Sequence, residues 1–214
     1  LYSNEQDPII DYLYENGILF VQIGKASQYP GETICIDNDN ILAAREAVNY
    51  LYALGHRKIG YVGTDLKRIF SADRKAGYML ALAENNVPFE ESYYLEMPQV
   101  PKEENDALLH FLSGNDRPTA VLVSDDILAM VLEKTAFKLH LHIPEDLSII
   151  SFNNSLFSKL SSPQLTSIDI NSRQLGIEAA SQMINHIENP GLLATKIIVP
   201  HFMIERQSCA APAD

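Results

Sequence analysis

Four short apolar runs in this chain are each followed at once by polar residues able to recognise a ligand. Asp37, Asn38 and Asp39 follow the run ending at Ile36, and Gly63, Thr64 and Asp65 follow the run ending at Val62, with Arg68 and Arg74 shortly after. Ser124, Asp125 and Asp126 follow Val123, and Asn153, Asn154 and Ser155 follow Phe152. Carboxylates, carboxamides and guanidinium groups suit a polyhydroxylated ligand, whose vicinal hydroxyls both donate and accept. An arginine fork bridges two neighbouring oxygens. Each group also has a plainer use. Asp126 reads as the cap of the helix that follows it. Asn153 and Asn154 serve equally as turn formers, and Arg74, on a helix face, is by itself an ordinary solvated residue.

Other chemistry is thinly represented. His140 and His142 resemble a metal pair, but no further ligand stands at matching spacing, so they read as loop histidines and no metal or cofactor is expected. Asp125 and Asp126 are adjacent at a helix start and do not point together for acid–base work. The chain holds no Gly-x-Ser-x-Gly, no Gly-x-Gly-x-x-Gly and no P-loop. A hydrolase acting on sugars would need two opposed carboxylates, for which Asp37 and Asp125 are the candidates; with no further catalytic constellation, the expectation is a binding protein and not an enzyme.

The elements that must position these residues alternate along the chain. Strands are predicted at 18–23, 33–36, 58–62, 120–123, 147–152, 197–199 and 202–204, and helices at 40–54, 71–85, 102–112, 126–139 and 175–187. Asn40 is the expected N-cap and Gly55 the C-terminal stop of the first of these helices. A loop is expected over 153–163. Tyr93 and Tyr94 read as strand aromatics, and one of residues 97–99 as a pocket wall. About nine strand candidates, apolar throughout and separated by helices, imply an α/β fold with parallel sheets covered on both faces, in two lobes. Ligands in such folds bind at the carboxyl ends of strands, where the polar residues lie.

Composition sets the bounds. The 214 residues are 46% hydrophobic and 21% charged, an ordinary globular balance, with a net charge of −12. So acidic a chain repels nucleic acid unless it carries a basic stripe, and none is visible. No run of about 18 apolar residues would span a membrane, and residues 1–8 lack the features of a signal peptide. Two cysteines, Cys35 and Cys209, cannot form a framework, which points to a reducing, cytoplasmic setting. Residues 208–214 read as a tail, of which Cys209-Ala-Ala-Pro-Ala-Asp214 is expected to fray.

The segment Leu54-Gly-His-Arg-Lys-Ile-Gly-Tyr-Val-Gly63 resembles the effector-binding core of the LacI/GalR family of bacterial transcription repressors. Arg74-Lys-Ala-Gly-Tyr78, Arg117-Pro-Thr-Ala-Val-Leu-Val-Ser-Asp-Asp126, Ile143-Pro-Glu-Asp-Leu-Ser-Ile-Ile-Ser-Phe152 and Ser162-Pro-Gln-Leu-Thr166 follow in the family's order, so the resemblance covers roughly 8–207. Ile23-Gly-Lys25, Ile36-Asp-Asn-Asp-Asn40 and Phe152-Asn-Asn-Ser155 are most similar to the maltose-operon branch of Gram-positive bacteria.

The resemblance implies a periplasmic-binding-protein-like pair of lobes joined by crossing strands, with a sugar, maltose or a maltodextrin first, in the cleft. It implies an N-terminal lobe from 1–37 and 168–196, a C-terminal lobe from 38–167 and 197–207, and a homodimer. Arg74 then matches the family's sugar- or purine-gripping arginine. Arg68 matches a contact of the purine-repressor-like branch, and Asp37 an acid at the cleft. At Asp125 the family often has asparagine and at Asn153 aspartate; here the two types are exchanged, which should alter ligand preference. With Asp39 these form the candidate ligand set. The family's helix-turn-helix headpiece and hinge helix are not in this sequence, nor is the first strand–helix–strand portion of the N-terminal lobe. DNA binding is thus expected only through a headpiece outside this chain, and a longer physical protein is expected. A transport receptor of the same fold and a protein corepressor on the C-terminal lobe are the competing expectations.

Overall fold

A computed structural model describes residues 5–98, 106–114 and 116–213. The chain runs α1 (Pro8–Glu15), β1 (Val21–Ile23), β2 (Ile34–Asp37), α2 (Asn40–Ala53), β3 (Ile59–Gly63), α3 (Ile69–Glu84), β4 (Tyr94–Glu96) and α4 (Asp106–Leu112). It continues through β5 (Ala120–Val123), α5 (Asp126–Lys138), β6 (Ser148–Phe152), α6 (Leu156–Leu160), β7 (Thr166–Asp169), α7 (Ser172–Glu188), β8 (Lys196–Ile198) and β9 (Phe202–Ile204).

The strands form two sheets, one ordered β1-β2-β8 and one ordered β4-β3-β5-β6-β7-β9. All pairings are parallel except β7 with β9, where Ile168 faces Met203. Strand residues alternate between two apolar layers of the larger sheet. Ile59, Tyr61, Leu122 and Ile150 pack with Ala47, Leu51, Tyr78 and Leu82 of α2 and α3. Val62, Val121, Val123 and Ile149 pack with Leu108, Leu112, Leu128 and Leu132 of α4 and α5. Helices on both faces explain why these strands are apolar throughout. Ile36, Leu175 and Val199 form the core of the smaller sheet, beneath α7.

Helices α2 and α3 approach so closely that a Cβ on Gly77 would lie 2.2 Å from the Ile41 carbonyl oxygen and 2.9 Å from Ala44 Cβ. Alanines at 43, 44 and 47 supply the rest of that thin interface.

The chain crosses between the sheets three times, after β2, after β7 and after β8. The strand pairings shift two of the expected divisions: Ile168 pairs with Phe152 in the larger sheet, and Ile197 with Ile36 in the smaller. Buried Asn38 ties the crossings together, its carboxamide donating to Ile170 O at 3.0 Å and Val199 O at 2.8 Å. Val199 N in turn donates to Asp37 O at 2.7 Å.

Several local expectations change. Asp39, not Asn40, caps α2, accepting from Leu42 N at 2.9 Å; Asn40 is buried and turned to other work. Gly55 does stand just past that helix, at φ +107°. The expected loop over 153–163 contains α6. Tyr94 is in β4, whereas Met97 is a buried core residue; residue 99 lies outside the described residues, as do 102–105 at the start of the expected fourth helix.

The tail does not fray over its described part. Ser208 is fully buried, its carbonyl accepting from Ile149 N at 2.8 Å and its hydroxyl from Thr166 N at 2.8 Å. The Ala210 carbonyl lies 2.9 Å from His56 Nε2, and His56 Nδ1 lies 2.9 Å from Thr119 Oγ1. Burial lowers the His56 pKa and keeps the ring neutral, so Nε2 carries the proton toward Ala210 and Nδ1 accepts from Thr119.

Candidate functional site

A cleft of about 580 Å³ opens between the two sheets, within the range of small-molecule sites. Asp37, Arg68, Arg74, Asp125 and Asn153 all line it; Asp39, spent as a helix cap and exposed, does not. The smaller sheet's side contributes Ile23, Lys25, Ile170 and Leu175, and the larger sheet's side Phe70, Ile127 and Phe157.

Arg74 is held by both neighbouring elements. Its Nε donates to Asn40 Oδ1 at 2.8 Å and its Nη1 to Ser124 O at 2.5 Å, while its guanidinium lies 3.9 Å from the Phe152 ring centroid and 4.9 Å from that of Phe70. The side chain is only 4% exposed, and burial pushes its pKa down to about 10, so it stays charged at neutral pH. Nη2 bonds to no described residue. Arg74 is thus a buried, stacked cation with one arm of its fork unspent, not the solvated residue its helical position suggested. Phe70, one turn earlier on α3, was legible only as an aromatic four residues before an arginine.

Asp37 ends β2 and accepts from Asn38 N at 2.8 Å. Burial pushes its pKa up to about 6; Asp73 pushes the same way, while the Asn38 N–H, Arg74 and Lys196 pull it down. Asp125 caps α5, accepting from Leu128 N at 2.8 Å through Oδ1. Its Oδ2 has no described partner. The cap expected of Asp126 therefore belongs to Asp125. Asp126 is buried and accepts from Ser151 Oγ (2.5 Å), Ser167 Oγ (3.0 Å) and Ser155 N (2.6 Å), which fastens the loop after β6.

That loop places Asn153 at φ +95° and Asn154 at φ +46°, two consecutive residues in the region that side chains avoid. The Asn153 carboxamide bonds to no described residue. That of Asn154 is engaged at both ends, donating to Asp169 Oδ2 at 2.8 Å and accepting from Arg206 Nη2. Lys25 reaches from the turn after β1 to Asp73 on α3, 3.1 Å away, an ion pair between the two sides. Arg68 precedes α3, its guanidinium 5.9 Å from the Phe70 ring centroid.

The unspent groups are a carboxylate oxygen each on Asp37 and Asp125, an arginine nitrogen, and a carboxamide, beside an aromatic ring. Such groups can both donate to and accept from hydroxyls; neither carboxylate is paired with a nucleophile or base. His142 pairs with Asp146 at 3.0 Å, and among the described residues no three His, Cys, Asp or Glu are grouped to hold a metal. No helix among the described residues is long and apolar enough to cross a membrane.

Residues 48–209 match the periplasmic binding protein-like domain. The HTH-type transcriptional regulator MalR of Staphylococcus xylosus is 32% identical over 208 residues, covering 97% of this chain and 60% of MalR. The HTH-type transcriptional repressor PurR of Escherichia coli O1:K1 / APEC is 34% identical over 164 residues, covering 77% of this chain and 48% of PurR. The chain thus spans about half to three fifths of these curated relatives. A LacI-type regulator from Bacillus cereus subsp. cytotoxis NVH 391-98, known from its crystal structure, superposes with a TM-score of 0.92 at 37% identity, covering 99% of this chain and 75% of that one. These relatives are regulators, not enzymes. The chain belongs to the periplasmic binding protein-like domain family, as the effector-binding core of a LacI/GalR regulator.

Proposed function

We propose that this core senses a small sugar, maltose or a short maltodextrin, and that sugar binding in the cleft controls operator binding by a headpiece outside these residues. The observation that carries this reading is the set of unspent polar groups on both sides of one cleft, Asp37 on one and Arg74, Asp125 and Asn153 on the other. A ligand bridging both sides stabilises the closed arrangement, and such coupling is typically about 1–3 kcal/mol. The similarity of residues 23–25, 36–40 and 152–155 to the maltose-operon branch supports the choice of sugar. Regulation of this kind places the protein in the cytoplasm and makes no bond.

The reading includes a homodimer. Leu156 and Leu160 of α6 are 65% and 72% exposed, with Ile127 and Met130 of neighbouring α5 at 53% and 40%, an apolar face suited to a second copy.

Calorimetry with maltose, maltotriose, glucose, galactose and hypoxanthine tests the effector. Selective binding of maltose or maltotriose is expected; tighter binding of hypoxanthine replaces the sugar with a purine, and no binding at millimolar ligand by a folded core sinks the sugar reading. In sedimentation equilibrium a dimer is expected that Leu160→Lys dissociates; a monomeric parent removes the dimer from the proposal.

Asp37 makes the binding pH-dependent. Ionised, it accepts hydroxyl hydrogen bonds; protonated, it loses acceptor capacity. Sugar affinity is therefore expected to be level above neutrality and to fall as pH drops through about 6. The loss is roughly three- to tenfold, as when a charged hydrogen bond becomes a neutral one. Asp37→Asn should flatten the profile, and a wild-type profile unchanged to pH 5 contradicts the assignment. Stability runs the other way. The folded state binds this proton more tightly than the unfolded chain, so this group's contribution improves as pH falls from neutrality through about 6 toward 3.8.

A further inference from the structure

We propose that Arg206 and Asp169 are positioning residues for the effector, acting through Asn154 to hold Asn153 at the cleft; this rests on the effector reading above. Neither residue lines the cleft. Arg206 follows β9 and is anchored twice, its Nη1 donating to Leu165 O at 2.6 Å and its backbone N to Thr166 Oγ1 at 2.9 Å. Its Nη2 then donates to Asn154 Oδ1. Asp169 ends β7 at the second crossing. Its Oδ2 accepts from Asn154 Nδ2 at 2.8 Å, and its Oδ1 from Asn171 N at 2.7 Å in the turn that leads to α7.

The carboxamide of Asn154 is thus clamped at both ends by opposite charges, and both of its bonds are charge-assisted. This clamp has work to do. Asn153 and Asn154 both hold positive φ, a backbone that surrounding bonds must over-determine if it is to persist. Backbone bonds from Asn153 N to Ile168 O (2.8 Å) and Asn154 N to Ser167 Oγ (3.0 Å) fix the near side of the loop; the clamp fixes the far side. Because Asp169 also holds the crossing to α7, movement of one lobe against the other is felt by the loop that carries Asn153. The clamp therefore sets where the free carboxamide meets the sugar and links that contact to the crossing.

The test uses the purified chain, with Arg206→Lys (which keeps the charge and loses the fork), Asn154→Ala and Asn153→Ala, singly and combined. The first readout needs no ligand. Amide hydrogen exchange of 153–155 should quicken about tenfold in Arg206→Lys and Asn154→Ala, as for loss of one charged hydrogen bond, while that of β5 is unchanged. The second is maltotriose affinity by calorimetry. It should fall about tenfold in Arg206→Lys with Asn153 present, and not at all when Asn153→Ala is already in place. An affinity loss that persists in the Asn153→Ala background, or unaltered exchange in the loop, overturns the proposal. If the parent binds no sugar in the panel, the effector reading fails on its own terms and the exchange result alone decides whether Arg206 and Asn154 hold the loop.

Discussion

Gly77→Ala is expected to destabilise the protein by about 3 kcal/mol, the upper range for overpacking a tight contact. For a chain of this size that corresponds to a fall in Tm of about 6–12 °C. The added methyl would sit 2.2 Å from a backbone carbonyl oxygen, that of Ile41, which cannot swing aside as a side chain could. Helices α2 and α3 must separate, and the cleft suffers with them. Ile41 is next to Asn40, which holds Arg74 Nε at 2.8 Å, and Arg74 is one turn before Gly77. Sugar affinity should therefore fall together with Tm. Gly176 supplies the control. It lies inside α7, and a Cβ there meets nothing within 4 Å. Gly176→Ala is expected to stabilise by about 0.5–1 kcal/mol through helix propensity and the unfolded-chain entropy. Thermal unfolding of the two variants, moving in opposite directions, checks the argument; a neutral Gly77→Ala would show that the helix pair can open without cost.

Arg74→Met is expected to lower sugar affinity about 10- to 100-fold, the effect of removing one or two charged hydrogen bonds to ligand. Methionine retains much of the stem's volume against Phe152. Removing a buried cation relieves its desolvation, but leaves Asn40 Oδ1 and Ser124 O without their donor, and these opposing effects keep the change in Tm small. Arg74→Lys should fare little better than methionine, because one ammonium cannot hold Asn40, Ser124 and a ligand in the guanidinium's plane. A second readout follows from charge. Arg74 helps keep Asp37 ionised, so in Arg74→Met any residual binding should lose affinity at a higher pH than in the parent. Parent-like affinity in Arg74→Met would remove this residue from the site.

Much of the architecture was legible because β3, β5 and most of β6 are apolar and the long helices around them carry clear periodicity. The short elements were not: α1 and α6 span 8 and 5 residues, and β7 only 4, too few for a period to register. The rule that ligands meet strand ends brought Asp37, Asp125 and Asn153 to the cleft. It could not separate neighbouring residues of one type. Asp39 and Asp125 both cap helices, yet only Asp125 also faces the cleft, and Asp126, expected to cap, is buried under serines. Which aspartate does which depends on backbone angles at one position. Arg206 was invisible as a functional residue, and so was the tying role of Asn38, because their partners are distant in sequence: Asn154 lies 52 residues from Arg206, and Val199 lies 161 from Asn38. The tail misled for the same reason. A run of small residues reads as loose until the groove that receives Ser208 and Ala210 is known.

The three crossings also govern how this protein is made. The smaller sheet cannot be completed until β8 emerges, about 160 residues after β2, and Asn38 waits just as long for Val199. Until then β1 and β2 lack both their β8 neighbour and the α7 cover that buries Ile36. The larger sheet, by contrast, has five of its six strands in hand by Asp169. On the ribosome the larger sheet should therefore assemble first and act as a platform, while β1 and β2 remain exposed and a client for chaperones.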